Sequence, residues 1–162
     1  MQATGVLPTS YHVYEIAGRL FGEETLVSEA AAPQKFDAET IHATYIGEDG
    51  VTRAALLCDI EFAARAGASL TMFPVDLVEE SIKTKVFSQT LQENLQEVLN
   101  ICVNLFMDAF SDRLHLGQIG RGESGFDERS KVVLASKQRA DFDIDIPRYG
   151  RGKIALIIAK AN

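Results

Sequence analysis

Glu97 and Asn100 are three positions apart in a segment whose apolar residues recur with the period of an α-helix. At about 100° per residue, the side chains of Glu93, Asn104 and Asp108 fall within about 60° of Glu97 on the same helix. We call these five residues the polar stripe. The far side of the helix is apolar and is formed by Leu91, Leu95, Val98, Leu99, Cys102, Leu105 and Phe106. This pattern predicts a helix that buries one face and presents carboxylates and carboxamides on the other.

The i, i+3 spacing of Glu97 and Asn100 places their side chains at neighbouring points of the exposed face. A carboxylate there can pair with a cation on a partner. A carboxamide both donates and accepts hydrogen bonds, so it can orient a water molecule. The same residue types are common on a plain solvated helix face. The spacing alone therefore leaves open whether the stripe is a functional site or an ordinary surface.

The composition is that of one ordinary globular domain, predicted to span residues 1–162. Hydrophobic residues make up 46% and charged residues 24% of the chain, which argues against extended disorder. The formal net charge is -7 and Lys and Arg form no cluster, so nucleic acid is not expected as a partner. We expect no leader, because the first residues lack a charged-then-apolar pattern, and no span, because no apolar run approaches the roughly 20 residues that cross a bilayer. We therefore expect a cytoplasmic protein that does not bind membranes.

The chain up to and including the stripe is predicted to form one helix, then three strands, then three helices. Helices are predicted from a cap at Thr9 or Ser10 through Leu20, from a cap at Asp59 to about Leu70, over 76–84, and from a cap at Ser88 or Thr90 to about Phe110. Strands are predicted over 25–28, 40–46 and 51–60, with a hairpin turn at Glu48-Asp49-Gly50. The AALLC run of the third strand is apolar enough to be buried on both faces.

After the stripe the pattern becomes β. Strands are predicted over 115–119, 131–136, 140–146 and 153–159, with a hairpin loop at 147–152. The alternation in DFDIDI places three apolar residues on one face of its strand and three aspartates on the other. The last strand, KIALIIA, is apolar enough to be central in the sheet or to lie at a subunit boundary. We expect a homodimer.

Two acidic or glycine-rich groups have a structural interpretation. The run 117–125 contains four glycines, but it lacks the G-K-[ST] ending of a phosphate loop and is predicted to be a flexible turn. Asp141, Asp143 and Asp145 are predicted to be a solvated strand face, because no glycine or terminal glutamate completes a calcium loop.

The histidines and cysteines are also interpreted as structural. His12, His42 and His115 have no partner at metal-ligand spacing, so they are predicted to be surface or half-buried residues and no metal site is expected. Cys58 and Cys102 both lie in apolar runs, where a free thiol behaves as a small hydrophobe. Both are predicted to be reduced and buried.

The order of the elements resembles that of a known family. A hairpin and a strand ending AALLCDI are followed by the helix EFAARAGASLTMF and by SQTLQENLQEVLNICVNLF. Over roughly residues 40–110, and more loosely in the final strands, this order resembles the chemotaxis phosphatase superfamily of CheC, CheX and FliY, whose long helix bears the pattern [DS]-x3-E-x2-N. Glu97 and Asn100 match its Glu and Asn. The chain departs from the pattern at Glu93, in the [DS] position, and at Glu123, where the family pattern has a proline.

The resemblance implies an α+β fold with long helices packed on an antiparallel sheet, often with two copies paired. It implies that the chain docks on a phosphorylated response-regulator receiver and promotes hydrolysis of its aspartyl phosphate. Glu97 would pair with the receiver's lysine and Asn100 would position the attacking water, while Glu93, Ile101 and Asn104 would contribute to partner binding. The chain would need no cofactor of its own, because the receiver supplies the magnesium.

Two functions from different classes stay open. The first is a phosphatase that acts on a phosphorylated receiver. The second is a non-catalytic interaction or scaffold module of the same fold in chemotaxis, motility or two-component signalling. A surface that exposes Glu97 and Asn100 together beside a shallow apolar rim would favour the first, whereas a stripe buried in an oligomer interface would favour the second.

Overall fold

A computed structural model of the protein describes residues 6–123 and 126–159. Its helices are α1 (Ser10–Phe21), α2 (Ile60–Thr71), α3 (Val75–Thr84), α4 (Gln89–Ile101), a 3-10 helix (Cys102–Phe106) and α5 (Glu128–Leu134). Its strands are β1 (Leu26–Glu29), β2 (Ile41–Gly47), β3 (Thr52–Cys58), β4 (Leu114–Arg121), β5 (Arg139–Ile146) and β6 (Gly150–Ile158). The predicted helix caps at Thr9, Asp59 and Ser88 are confirmed, since each side chain accepts a backbone N–H of the first turn.

Within the described residues, the strands form one antiparallel sheet in the order β1-β5-β6-β3-β2-β4. The predicted turn between β2 and β3 closes at Gly50, whose φ of 81° favours glycine. β6 pairs with β5 on one side and with β3 on the other, so the KIALIIA segment is central. Its alternative placement as an edge strand at a subunit boundary is wrong. Helices packed on an antiparallel sheet confirm the predicted α+β class.

The main core lies between the sheet and helices α1 to α4. Alternate residues of β3, among them Leu56 and Cys58, are fully buried there together with residues of α2 and α4. Gly67 lets α2 and α4 approach closely, because a Cβ at this position would lie only 3.1 Å from the Leu91 carbonyl oxygen. Cys58 and Cys102 are free and buried, as predicted. We call this side of the sheet the α4 face.

The opposite side of the sheet, which we call the α5 face, has a smaller core. Ala55 and Leu57 of β3 are buried there with Phe126 and Val133, so the prediction that β3 is buried on both faces is confirmed. The segment before β2 also reaches this face, where Phe36 packs against the cluster. The α5 face is therefore covered by one short helix and a loop, whereas four helices cover the other.

The strand predicted over 131–136 is wrong, because residues 131–134 belong to α5 and residues 135–136 follow it without strand structure. Two adjacent valines suggested β structure, but only Val133 is buried while Val132 is 71% exposed. The helix begins at the N-cap Asp127, whose side chain accepts the N–H of Ser130 at 2.8 Å. This N-cap fixes the first turn, and burial of Val133 against the sheet then favours the helical period over alternation.

Two further predictions, for the glycine-rich run and for His42, are wrong. Residues 117–121 of the glycine-rich run belong to strand β4 and do not form a flexible turn, because they pair with β2; positions 124 and 125 lie outside the described residues. His42, predicted to be at most half-buried, is fully buried. Its ring stacks on Phe126 with centroids 3.7 Å apart, and its Nε2 is 2.9 Å from the Gly122 carbonyl oxygen.

The alternation predicted for DFDIDI is confirmed in β5. Phe142, Ile144 and Ile146 are buried, and the three intervening aspartates are partly exposed. For Asp141 the predicted solvated face is wrong, because its side chain is 9% exposed and accepts two hydrogen bonds from Arg139, at 2.7 and 2.8 Å, in a structural ion pair. No group of three or more potential metal-binding side chains occurs among the residues that the structure describes.

Candidate functional site

Helix α4 separates its polar and apolar residues as the sequence predicts. Ser88 caps the helix by accepting the N–H of Leu91 at 3.2 Å. On its inner side Leu95 is 5% exposed and Leu99 is fully buried. On its outer side lie the exposed residues Glu93, Gln96, Glu97 and Asn100. The predicted exposure of Glu97 and Asn100 on one helix face is therefore confirmed.

Helix α4 ends at Ile101, so the predicted extension to Phe110 is wrong. The Tyr45 hydroxyl, from strand β2, donates to the Leu99 carbonyl oxygen at 2.6 Å. The chain then continues as a 3-10 helix over Cys102–Phe106. Asn104 is exposed, and its Nδ2 donates to the Ile101 carbonyl oxygen at 2.9 Å. The Tyr45 and Asn104 side chains thus donate hydrogen bonds to backbone carbonyl oxygens at the end of α4, where the regular i to i+4 ladder stops.

The change of helix type divides the polar stripe. Asp108 lies in a separate depression formed with the segment before α1 and with His12 and Glu15 of that helix. The Asn104 amide is used at the end of α4, and Ile101 is half-buried. Glu93, Glu97 and Asn100 are the members of the stripe that the structure brings together. We call these three residues the α4 triplet.

The α4 triplet lines an open depression of about 490 Å³ between α4 and strand β4. The other lining residues are Gln96 of α4 and Leu116 and Gly117 of β4. Sequence reasoning missed them. Gln96 could have been found from its angular position, about 100° from Glu97, but the two β4 residues come next to α4 only through pairing of β4 with β2.

Contacts with two other elements, α2 and β2, fix the position of α4. On the flank toward α2, the Asn94 Nδ2 donates to the Gly67 carbonyl oxygen at 3.0 Å and to the Thr71 hydroxyl at 2.9 Å. Beneath the helix, the Tyr45 hydroxyl holds the Leu99 carbonyl, one residue from Asn100. Side chains on a helix fixed in this way are held in place before a partner arrives, which lowers the entropic cost of binding.

The side chains of Glu97 and Asn100 are available to a partner. Within residues 6–123 and 126–159, neither forms a hydrogen bond or an ion pair. Glu93 accepts a hydrogen bond from the Gln89 Nε2 at 3.0 Å. The lining residues of the depression include two carboxylates and no Lys or Arg. The depression can therefore attract a cation and orient a water molecule, but its residues offer no nucleophile.

Cys102, close to this helix end, is not a candidate nucleophile. Burial raises the pKa of its thiol to about 12, and the thiolate is the nucleophilic form. Burial also raises the pKa of the Cys58 thiol well above its ordinary value. Both cysteines are therefore part of the core and not of the chemistry.

Solved structures share this fold. A chain of the FliM-SpeE complex from H. pylori superposes with a TM-score of 0.62 at 8% identity, covering 93% of this chain and 81% of that chain. Thermotoga maritima FliY gives 0.55 at 9% identity, with 90% and 81% covered. A chain of the CheX-CheY-BeF3-Mg+2 complex from Borrelia burgdorferi gives 0.53 at 14% identity, with 94% and 99% covered. The protein therefore has the CheC/CheX/FliY type of fold, as the resemblance in sequence implied.

No family model matches the sequence, and no curated protein matches it either. At 8% to 14% identity the structural matches define the fold and not the activity. Among the described residues, no helix is long and apolar enough to cross a membrane.

Proposed function

We propose that this protein docks on a phosphorylated response-regulator receiver and promotes hydrolysis of its aspartyl phosphate. The observation that carries the proposal is the α4 triplet: Glu97 and Asn100 are exposed together, without side-chain partners among the described residues, on a helix that is bonded to α2 and to β2. In this account Glu97 is the docking residue and Asn100 the water-orienting residue. Glu93 borders them, and Ile101 and Asn104 extend the binding surface at the end of the helix.

The proposed reaction asks little of this chain beyond positioning. The receiver holds the magnesium ion, the lysine and the phosphoaspartate. Glu97 pairs with that lysine, and the Asn100 carboxamide accepts a hydrogen bond from a water molecule in line with the phosphorus. The water oxygen forms a bond to phosphorus while the bond from phosphorus to the aspartate oxygen breaks, which releases inorganic phosphate. No cofactor is bound by this chain in the proposal.

The comparison with CheX supports the docking part of this proposal, because that protein was solved in a complex with CheY, BeF3 and magnesium. The site supports it through charge, since the depression has two carboxylates and no cation of its own. An apolar rim adjoins the depression, where Leu95 and Ile119 line a neighbouring hollow. We further propose that the protein works in the cytoplasm, where it would meet its receiver, and that it forms a homodimer.

The alternative function is a non-catalytic scaffold module of the same fold. One observation favours it: Glu93 occupies the position where the catalytic pattern has Asp or Ser. A scaffold would keep the docking surface and lose the acceleration of hydrolysis.

The test measures binding and hydrolysis separately on the receiver encoded nearest to this gene. An enzyme shortens the lifetime of the receiver's aspartyl phosphate at substoichiometric concentration, whereas a scaffold binds the beryllofluoride-activated receiver and leaves that lifetime unchanged. Glu97→Lys should weaken binding at least tenfold, because the receiver's lysine then meets a like charge. Glu128→Lys is the matched control, since Glu128 is exposed on α5. Equal affinities for the two variants would contradict the docking role of Glu97.

A further inference from the structure

A second depression, of about 580 Å³, adjoins the one that contains Glu97 and Asn100. The two share Glu93 and Gln96 as lining residues, so they lie side by side between α4 and strand β4, and we call them together the groove. Strand β4 is an edge of the sheet and pairs only with β2 within the described residues. We call the second depression the apolar end of the groove.

The floor of the apolar end consists of core side chains. Ile41, Phe87 and Leu95 line it while being 4%, 7% and 5% exposed. Ile119 of β4 forms its wall and is 39% exposed, a large exposure for an isoleucine. An apolar side chain that entered this depression would therefore remove both its own surface and that of Ile119 from water.

The floor is fixed by polar contacts at its rim. The Arg121 guanidinium lies over the Phe87 ring, 5.5 Å from its centroid, and donates to the Lys85 carbonyl oxygen at 2.7 Å. The Gln92 Nε2 donates to the Phe87 carbonyl oxygen at 2.8 Å. Both contacts hold the loop between α3 and α4 against the groove. The depression is therefore formed before any partner binds, and its occupation requires little reordering.

The rise per residue of α4 gives the distance between the two ends of the groove. Gln92 lines the apolar end and Asn100 lines the other, and eight residues of α-helix span about 12 Å. A partner whose phosphoaspartate is placed at Asn100 would therefore reach the apolar end with a segment about 12 Å away along α4.

We infer that the apolar end is a second contact for the same receiver, which fills it with one aliphatic or aromatic side chain from a surface segment beside its phosphorylation site. The inference rests on the proposed function and adds the determinant of partner choice: Glu97 recognises a lysine that any receiver would offer, whereas the apolar end selects receivers by shape. Ile119 is thus a specificity residue and not a catalytic one.

Charge favours a receiver over a second copy of this chain as the occupant. Glu93 and Glu97 lie beside the apolar end. In a symmetric pair the same patch faces itself, so two copies packed on this groove would bring these carboxylates together. Among the described lining residues the cation is Arg121, but its guanidinium is already engaged, since it lies 3.6 Å from the Glu39 carboxylate and donates to the Lys85 carbonyl oxygen. A receiver presents a lysine to the same carboxylates, which makes the two surfaces complementary.

The test compares Ile119→Glu with Val132→Glu. Val132 is a matched control, because it is an exposed β-branched residue on α5. The probe is the receiver encoded nearest to this gene, activated with beryllofluoride and magnesium. We expect Ile119→Glu to raise the Kd at least tenfold and to raise KM for the phosphorylated receiver with kcat within twofold of wild type, and Val132→Glu to change neither. Ile119→Ala, which keeps an apolar edge, should raise the Kd about threefold.

Several outcomes would overturn the inference. One is an unchanged Kd for a folded Ile119→Glu protein with the melting temperature of wild type. Another is a dimer of the wild-type protein in sedimentation that Ile119→Glu dissociates while the Kd for the receiver stays unchanged. That result would assign the groove to a second copy of this chain. The proposed catalysis fails separately, if wild type binds the receiver through Ile119 but does not shorten the lifetime of its phosphate.

Discussion

The two faces of the sheet are covered in different ways, and the difference shows what a docking helix needs. On the α4 face, α4 lies on a continuous core and is bonded to Tyr45 of the sheet and through Asn94 to α2. On the α5 face, the seven residues of α5 lie on a small cluster around Leu57 and Val133. Exposed polar side chains occur on both helices. Of the two helices, α4 is the one whose described residues bond to two other elements.

The comparison bears on function because positioning is all that the proposed chemistry requires. A water-orienting side chain loses most of its effect when it is displaced by about 1 Å. Anchoring of α4 by the core and by Tyr45 is therefore part of the site, although Tyr45 itself is completely buried. Its burial raises the pKa of the Tyr45 hydroxyl well above its ordinary value, so it acts as a hydrogen-bond donor throughout the physiological range.

The largest expected effect is a loss of stability when the core under α4 is truncated. Leu99 is fully buried, and Leu99→Ala should reduce the free energy of unfolding by about 2 to 5 kcal/mol through lost burial and a residual cavity. Val133→Ala, the matching truncation under α5, should cost only about 1 to 2 kcal/mol because it removes two methyl groups. Urea denaturation of both variants measures the difference. Equal losses, or an unchanged melting temperature for Leu99→Ala, would contradict the assigned roles of the two faces.

A smaller effect is expected from Tyr45→Phe. The substitution keeps the ring in the core but removes the donor to the Leu99 carbonyl oxygen. A buried carbonyl left without its partner costs about 1 to 3 kcal/mol. The variant should also lose more hydrolytic activity than receiver affinity, since Asn100 is adjacent to the released carbonyl. A fully active Tyr45→Phe protein would show that this bond stabilises the fold without positioning the site.

The α5 face should respond to acid through His42. Burial lowers the pKa of His42 below its ordinary value of 6.5, against an opposing effect of its hydrogen bond to Gly122. A group whose pKa is depressed by folding contributes stability that is present above its unfolded pKa and is lost as the pH falls through the folded pKa. The free energy of unfolding should therefore fall as the pH is lowered below 6.5 in wild type, and this fall should be smaller in His42→Gln. Identical pH profiles for the two proteins would exclude His42 as the cause.

On the α4 face, Asp59 at the N-cap of α2 should make stability depend on pH in the opposite direction. Burial raises its pKa from 3.8 to about 6, despite hydrogen bonds from the N–H groups of Lys153 and Phe62. Its contribution to stability is complete below pH 3.8 and is lost as the pH rises through about 6. Asp59→Asn keeps an N-cap residue and should be more stable than wild type above pH 6 but not below pH 4. Unfolding measured at both pH values decides this, and a gain of the same size at both would contradict it.

Which side of helix α4 is exposed could be predicted from the sequence, because helical periodicity is a local property. The i, i+3 spacing of Glu97 and Asn100 and the apolar residues around Leu99 are enough to assign it. The end of the helix could not be predicted, because the Tyr45 bond that accompanies it joins residues 54 positions apart. For the same reason Leu116 and Gly117 were missing from the predicted site, since only strand pairing brings them there.

The failures on the α5 face have a different physical origin. Local propensity favoured a strand at the valine pair, and the Asp127 cap outweighed it. His42 was predicted to be a surface or half-buried residue because it has no partner at metal-ligand spacing, but its ring stacks on Phe126 and its Nε2 lies at hydrogen-bond distance from the Gly122 carbonyl oxygen. These contacts join parts of the chain 80 or more positions apart, which no local pattern encodes.

The central claim is that Asn100 orients the attacking water, and the most direct test is the rate of phosphate release at saturating concentration of this protein. The measurement compares wild type, Asn100→Ala and buffer on the phosphorylated receiver. We expect wild type to accelerate release and Asn100→Ala to reduce the rate at least a hundredfold, toward that of buffer, because a methyl group cannot orient water. The Kd for the beryllofluoride-activated receiver should change less than threefold. Release rates that are equal for wild type and Asn100→Ala would contradict the claim.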